Sequence, residues 1–143
     1  MDRITAKYFK KRLVDLFVRS RQGSLPKKSQ DRHILLNSIV MGMDSGQDYT
    51  EREANAVIQG WMMMVGRDMH VDVFSFRREL VDRGYLERDK RGKRYWVSET
   101  SPGFRLFDPE VNELDVVTVI EDGRSEMEAR KQAFLKEKGQ VKV

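Results

Sequence analysis

Residues Phe76 to Val97, FRRELVDRGYLERDKRGKRYWV, decide the reading of the fold. At about 100° per residue, Val73, Phe76 and Leu80 share one helical face, and Gly84 stands where a helix C-cap is expected. Tyr85-Leu86 then opens a strand, Lys90-Arg91-Gly92-Lys93 supplies a charged turn, and Tyr95-Trp96-Val97 returns as a second strand. A helix running directly into a basic hairpin is the order of a winged helix-turn-helix, whose second helix enters a DNA major groove. The fold class expected is mainly α with a small β-hairpin, a winged helix-turn-helix with flanking N- and C-terminal helices.

Working outward, the chain divides into three stretches. Residues 1–28 are a basic N-terminal helix and linker, 29–98 the winged-helix unit, and 99–143 a linker and C-terminal helical segment. In residues 3–21, Phe9, Leu13, Leu16 and Phe17 line one face while Lys7, Lys10, Lys11 and Arg12 crowd the other. Pro26 ends that stretch. A helix over about 30–43 carries Ile34, Leu35, Ile39 and Val40. The next, over 50–64, begins at a Thr50-x-x-Glu53 capping box and presents Ala54, Val57, Ile58 and Trp61 to a core. The third helix is expected over 70–83, with strands near 85–89 and 93–97. Asp108-Pro109-Glu110 suits a short helical turn. From Asp115 onward, Val116, Ile120, Met127 and Phe134 recur at helical spacing, although the β-branched run Val116–Ile120 also suits a strand.

Composition narrows the function classes. The 143 residues contain no cysteine, which removes disulfide scaffolds, zinc ribbons and cysteine nucleophiles. No apolar run approaches the roughly 20 residues of a membrane span, and Met1 opens no signal-peptide pattern, so a cytoplasmic protein without membrane partners is expected. The net charge of +4 is unevenly spread. Residues 1–28 hold nine Lys/Arg against two acids, residues 29–98 eleven of each, and residues 99–143 seven against ten. The winged unit is therefore neutral as a whole, and attraction to phosphates must come from local patches or from the N-terminal helix.

Four blocks together resemble a prokaryotic winged-helix family catalogued as a domain of unknown function, found alone or within transcriptional regulators. They are GSLPKK at 23–28, YTEREAN at 49–55, DVFSFRRELVDRGYLERD at 72–89 and RYWV at 94–97. The likeness covers about residues 14–97, and Ala54 stands where such proteins more often carry valine. It implies a bacterial helix-turn-helix regulator by association with other family members.

On the helical wheel, Val71, Ser75, Arg78 and Asp82 face away from the core stripe of helix 70–83. Arg78 is the candidate for a base edge, since guanidinium bonds guanine in bidentate fashion, and Ser75 is a donor beside it. Asp82 on the same side repels phosphate, and a plain solvated face is the competing reading. The hairpin offers Arg88, Lys90, Arg91, Lys93 and Arg94 for backbone or minor-groove contact, against the alternative of a charged edge kept soluble. Lys27 and Lys28, at the start of the second helix, are further phosphate candidates. Arg77 is expected to pair with Glu51 or Glu53. Phe74 and Val81 are placed to contact a terminal helix, of this subunit or another. Tyr95 and Trp96 are read as core. The methionines of residues 62–69 are read as loose core filling more than a ligand groove.

Catalysis finds no support: His33 and His70 lack metal-binding context, and no serine sits in a nucleophile elbow. The expectation is thus a non-enzymatic DNA-binding transcriptional regulator without cofactor, binding double-stranded DNA as a homodimer. No small-molecule effector is indicated. Two alternatives stand beside it: a protein-interaction module that leaves DNA alone, and a non-specific nucleic-acid binder acting through the basic N-terminal helix.

Overall fold

The computed structural model describes residues 2–141. Helix α1 (Ala6–Val14) is capped by Thr5, whose Oγ1 accepts from the Tyr8 amide at 3.1 Å. It widens at Asp15–Arg19, where the Ser20 amide reaches back to the Asp15 carbonyl. Helix α2 spans Ser29–Val40 and α3 Glu51–Met64, with strand β1 (Tyr49–Thr50) leading directly into α3. Helix α4 (Val73–Asp82) then gives way to β2 (Leu86–Arg88) and β3 (Arg94–Val97). A short α5 (Pro102–Arg105) and a 3-10 turn (Pro109–Glu113) precede α6 (Val116–Val141). The chain is thus mainly helical, with one small antiparallel sheet in the order β1-β3-β2.

Each element has a local cause. The Thr50 capping box closes in both directions, the Glu53 amide donating to Thr50 Oγ1 at 3.1 Å and the Thr50 amide to Glu53 Oε1 at 2.9 Å. Gly84 takes a φ of +82° past the end of α4, a conformation that costs glycine little. Strand β1 was not foreseen: two residues are too few for any periodicity to register. It is held through β3, Tyr49 opposite Tyr95 and Thr50 opposite Arg94. The branched run Val116–Ile120 is helical, because spacings of three and four set Val116, Val119 and Ile120 together in the core.

One apolar core runs from Ile4 to Ile120, so α1 and the first turns of α6 share it with the unit between them. Trp61 lies at its centre, edge-on to both Phe17 and Phe76. Its Nε1 donates to Ser38 Oγ at 2.9 Å, and that hydroxyl donates to the Leu35 carbonyl. A bidentate pair ties α1 to α2: Arg12 reaches both carboxylate oxygens of buried Asp31 at 3.0–3.1 Å. This geometry raises the Arg12 pKa, chiefly through the hydrogen bond to Asp31. The connection from α3 to α4 is pinned as well, with Met69 buried and the His70 amide bonded to the Gly23 carbonyl.

Three expectations need correction. Phe74 meets neither terminal helix of its own chain and stays 59% exposed, because α1 and α6 pack against each other, away from α4. Met63 and Met64 are also exposed, because they lie beyond the buried stripe Ala54-Ile58-Trp61 of α3, so only part of the methionine cluster fills core. Trp96 is half-buried, since strand alternation turns Tyr95 and Val97 inward and leaves it on the outer side. No described helix is long and apolar enough to cross a membrane.

Candidate nucleic-acid interface

Helix α4 owes its orientation to Phe76 and Leu80, both fully buried, and to a polar anchor on its flank. Arg77 Nη1 donates to Asn55 Oδ1 at 2.6 Å, and Nη2 lies 3.3 Å from Glu51 Oε1. Its guanidinium also sits 5.3 Å from the Phe74 ring centre and 5.2 Å from that of Tyr95. The expected pairing of Arg77 with the preceding helix therefore goes to Glu51, because Glu53 is committed to the cap. Arg77 couples α3, α4 and β3 at one point.

With α4 fixed in this way, Ser75, Arg78 and Asp82 point outward and are exposed. Arg78 has no ion-pair partner among the described residues. Ser75 is less free. Its hydroxyl donates to Asp72 Oδ2 at 3.1 Å, and its amide donates to Asp72 Oδ1 at 2.8 Å. That N-cap holds the Asp72 carboxyl below the usual carboxylate range, principally through the Ser75 amide.

The hairpin is set by the register Leu86–Val97, Glu87–Trp96 and Arg88–Tyr95. Directly opposed residues share a face, so Arg88 sits on the Tyr95 side, toward α4. Arg78, Arg88, Phe74 and Asp82 line one open cleft of about 350 Å³, floored by Arg77 and Tyr95. At the turn, Asp89 Oδ1 accepts the Lys93 amide at 2.7 Å and the Arg94 amide at 3.2 Å. These backbone donors, Lys93 first, lower the Asp89 pKa. Asp89 thus builds the turn, Gly92 supplies its φ of +67°, and Lys90, Arg91 and Lys93 are left exposed at the tip.

Not every candidate joins this surface. Alternation puts Arg94 on the face opposite Tyr95, where its charge helps lower the Glu53 pKa after the stronger Thr50 hydrogen bonds. Lys27 and Lys28 are exposed just before α2 and do not line the cleft. Three acids of the neutral unit are paired elsewhere: Glu79 with Arg32 and Arg83, Glu51 with Arg77, and Asp31 with Arg12. Arg78 and the basic residues of the hairpin form no ion pair among the described residues, and the acids nearest them are Asp82, Glu87 and Asp89. Sequence reasoning missed Phe74 as a member of this cleft. Its one signal was an aromatic side chain lying off the core stripe of α4.

A family model described as "Uncharacterized protein conserved in bacteria (DUF2087)" matches residues 21–97, just over half of the chain. The matched stretch ends with β3 and takes in every residue of the cleft. No curated protein and no solved structure matches the chain.

Proposed function

From the premise that the chain belongs to the DUF2087 family of bacterial proteins, we propose that it is a winged-helix transcriptional regulator that binds double-stranded DNA in the bacterial cytoplasm. The observation that carries this reading is the open cleft in which unpaired Arg78 of α4 meets Arg88 of the hairpin, beside an exposed Lys90-Arg91-Lys93 tip. The element order α2-β1-α3-α4-β2-β3 and the sheet order β1-β3-β2 support a winged helix in which α4 is the groove-reading helix.

In this reading Arg78 meets a guanine edge, and Phe74 adds apolar contact of the kind that favours a thymine methyl. Arg88, Lys90, Arg91 and Lys93 hold phosphates. Ser75 acts as an acceptor, its proton being spent on Asp72. Lys27, Lys28 and Arg94 are peripheral contributors. Two copies related by a two-fold axis would present two α4 helices to a palindromic site. In the N-terminal polycation reading, Lys7 and Lys10 would carry the contact, since Arg12 is committed to Asp15 and Asp31.

The test is selection from a random duplex pool with the purified protein, followed by titration of the recovered sequence. Enrichment of one motif, with binding reduced by Arg78→Ala, supports sequence-specific recognition. Binding without enrichment supports a non-specific polycation, and no binding at low salt supports a protein-interaction module presenting Phe74.

A further inference from the structure

Beyond Arg124, helix α6 leaves the body of the molecule. Arg124 closes the contact by donating to the Met64 carbonyl at 3.0 Å, at the end of α3. From Ser125 to Gly139 every residue is exposed. Three of them are large and apolar: Met127 at 46%, Phe134 at 57% and Leu135 at 49% exposure. At about 100° per residue Met127 and Phe134 lie within about 20° of each other and Leu135 about 80° round the wheel, with Lys131 and Lys138 interleaved between them on the same face. Lys138 sits over the Phe134 ring at 5.3 Å. The arm therefore carries one mixed face, on which three large apolar side chains alternate with two lysines.

The same chain carries a groove of matching character. It holds about 580 Å³ between α2, α3 and the start of α6, lined by Val57, Gly60, Met64 and Val117 among others. A Cβ at Gly60 would meet nothing within 4 Å, so the groove floor is open to a close-lying helix. Glu113 and Asp115 stand on its rim. Along α3 the groove runs from Ala56 to Val65, roughly 14 Å at helical rise, and Met127 to Leu135 spans roughly 12 Å. The apolar floor suits Met127, Phe134 and Leu135, the acids Glu113 and Asp115 suit the two lysines of the same face, and the two lengths agree.

We propose that the exposed arm of one copy, residues 125–139, docks into the α2–α3 groove of a second copy, and that the exchange is reciprocal about a two-fold axis. This rests on the pairing put forward above and is independent of whether the partner surface reads DNA. Reciprocal docking joins two patches of one chain in a closed dimer. Covering the exposed parts of Phe134, Leu135 and Met127 and the groove beneath them, twice, removes on the order of 800 Å² from solvent, the size of a weak, transient interface. The dimer is accordingly reversible with concentration. It also leaves the cleft open, because on the α3 wheel Glu51 and Asn55, which hold Arg77, occupy the flank opposite Val57, Gly60 and Met64.

The absence of cysteine makes the arrangement directly testable. Sedimentation of the full chain over a concentration series is expected to show monomer and dimer in equilibrium. Phe134→Glu, and separately Gly60→Leu, each weaken that association at least tenfold while the monomer stays folded, since both sites are solvent-facing and leucine is the better helix former at position 60. Oxidising a mixture of Gly60→Cys and Phe134→Cys chains yields a disulfide between the two species. A full chain that stays monomeric throughout overturns both the arm exchange and the pairing. A dimer that both variants leave intact overturns the exchange alone, as does a Gly60→Cys/Phe134→Cys double variant whose disulfide closes within one chain.

Discussion

Replacing Arg91 and Lys93 together by serine tests the role proposed for the hairpin tip in DNA binding. Both side chains are exposed, and neither forms an ion pair among the described residues. The turn itself is made by the Lys93 amide and Asp89, which the substitutions leave in place. The fold is therefore expected to be unchanged, and any effect is electrostatic. Each phosphate contact adds about 0.9 to the steepness of log K against log salt. Losing two contacts lowers the slope by about 1.8 per copy, equivalent to roughly 30-fold weaker binding at physiological salt. Fluorescence anisotropy of a labelled duplex across a salt series measures both quantities. Arg94→Ser is the control for one charge: it removes a single cation from the opposite face of β3 and is expected to change the slope far less than half as much as the double variant. An unaltered slope in the double variant, or an equal change in the Arg94 control, would refute the placement of the tip against the DNA backbone.

Three further outcomes follow from packing and protonation. Arg77→Leu removes the Asn55 hydrogen bond and both ring contacts, while its pair with half-exposed Glu51 adds little; a loss of about 2 kcal/mol is expected by urea denaturation. Gly123→Leu places a Cβ 2.9 and 3.1 Å from the γ carbons of Val14, a stiff β-branched neighbour, so α6 must lift from α1. A loss of roughly 1–3 kcal/mol in the same assay is expected, together with faster amide exchange along the first turns of α6.

The third concerns His33, whose pKa is lowered by burial first and then by Arg83 and Arg105. Its Nδ1 lies 2.9 Å from the hydroxyl of fully buried Tyr85, whose own pKa is raised by burial. A histidine that resists protonation in the fold binds fewer protons there than in the unfolded chain. Its contribution to stability is complete above the ordinary pKa of about 6.5 and falls as the solution is acidified below that value. Thermal unfolding between neutral pH and pH of about 5 should show this decline, and His33→Gln should flatten it. An unchanged pH profile in the variant would place the titrating group elsewhere.

Much of this architecture is written locally in the chain. The helical stripes, the Thr50 capping box, the glycine after α4 and the short charged turn all act within a few residues, so each could be located from spacing alone. α2, α3, α4 and the two hairpin strands accordingly lie close to where the pattern put them. The outward face of α4 was legible for the same reason, because a helical wheel needs no knowledge of what packs against it. Ion-pair choice was half legible. A partner for Arg77 on α3 was foreseeable, but Glu51 and Glu53 were separated only when one was spent on the cap.

Tertiary packing decided the rest. Two residues of β1 acquire strand geometry only because β3 lies beside them, and Phe74 became part of a cleft only once α1 and α6 had packed elsewhere. Cross-strand register sent Arg88 toward Arg78 and Arg94 away from it, a difference that the basic run 88–94 does not itself encode. The same packing exposed Met63, Met64 and the far half of α6. Apolar periodicity says which side chains can be buried together. Which of them find a surface to bury against depends on where distant parts of the chain come to rest, and no local spacing contains that information.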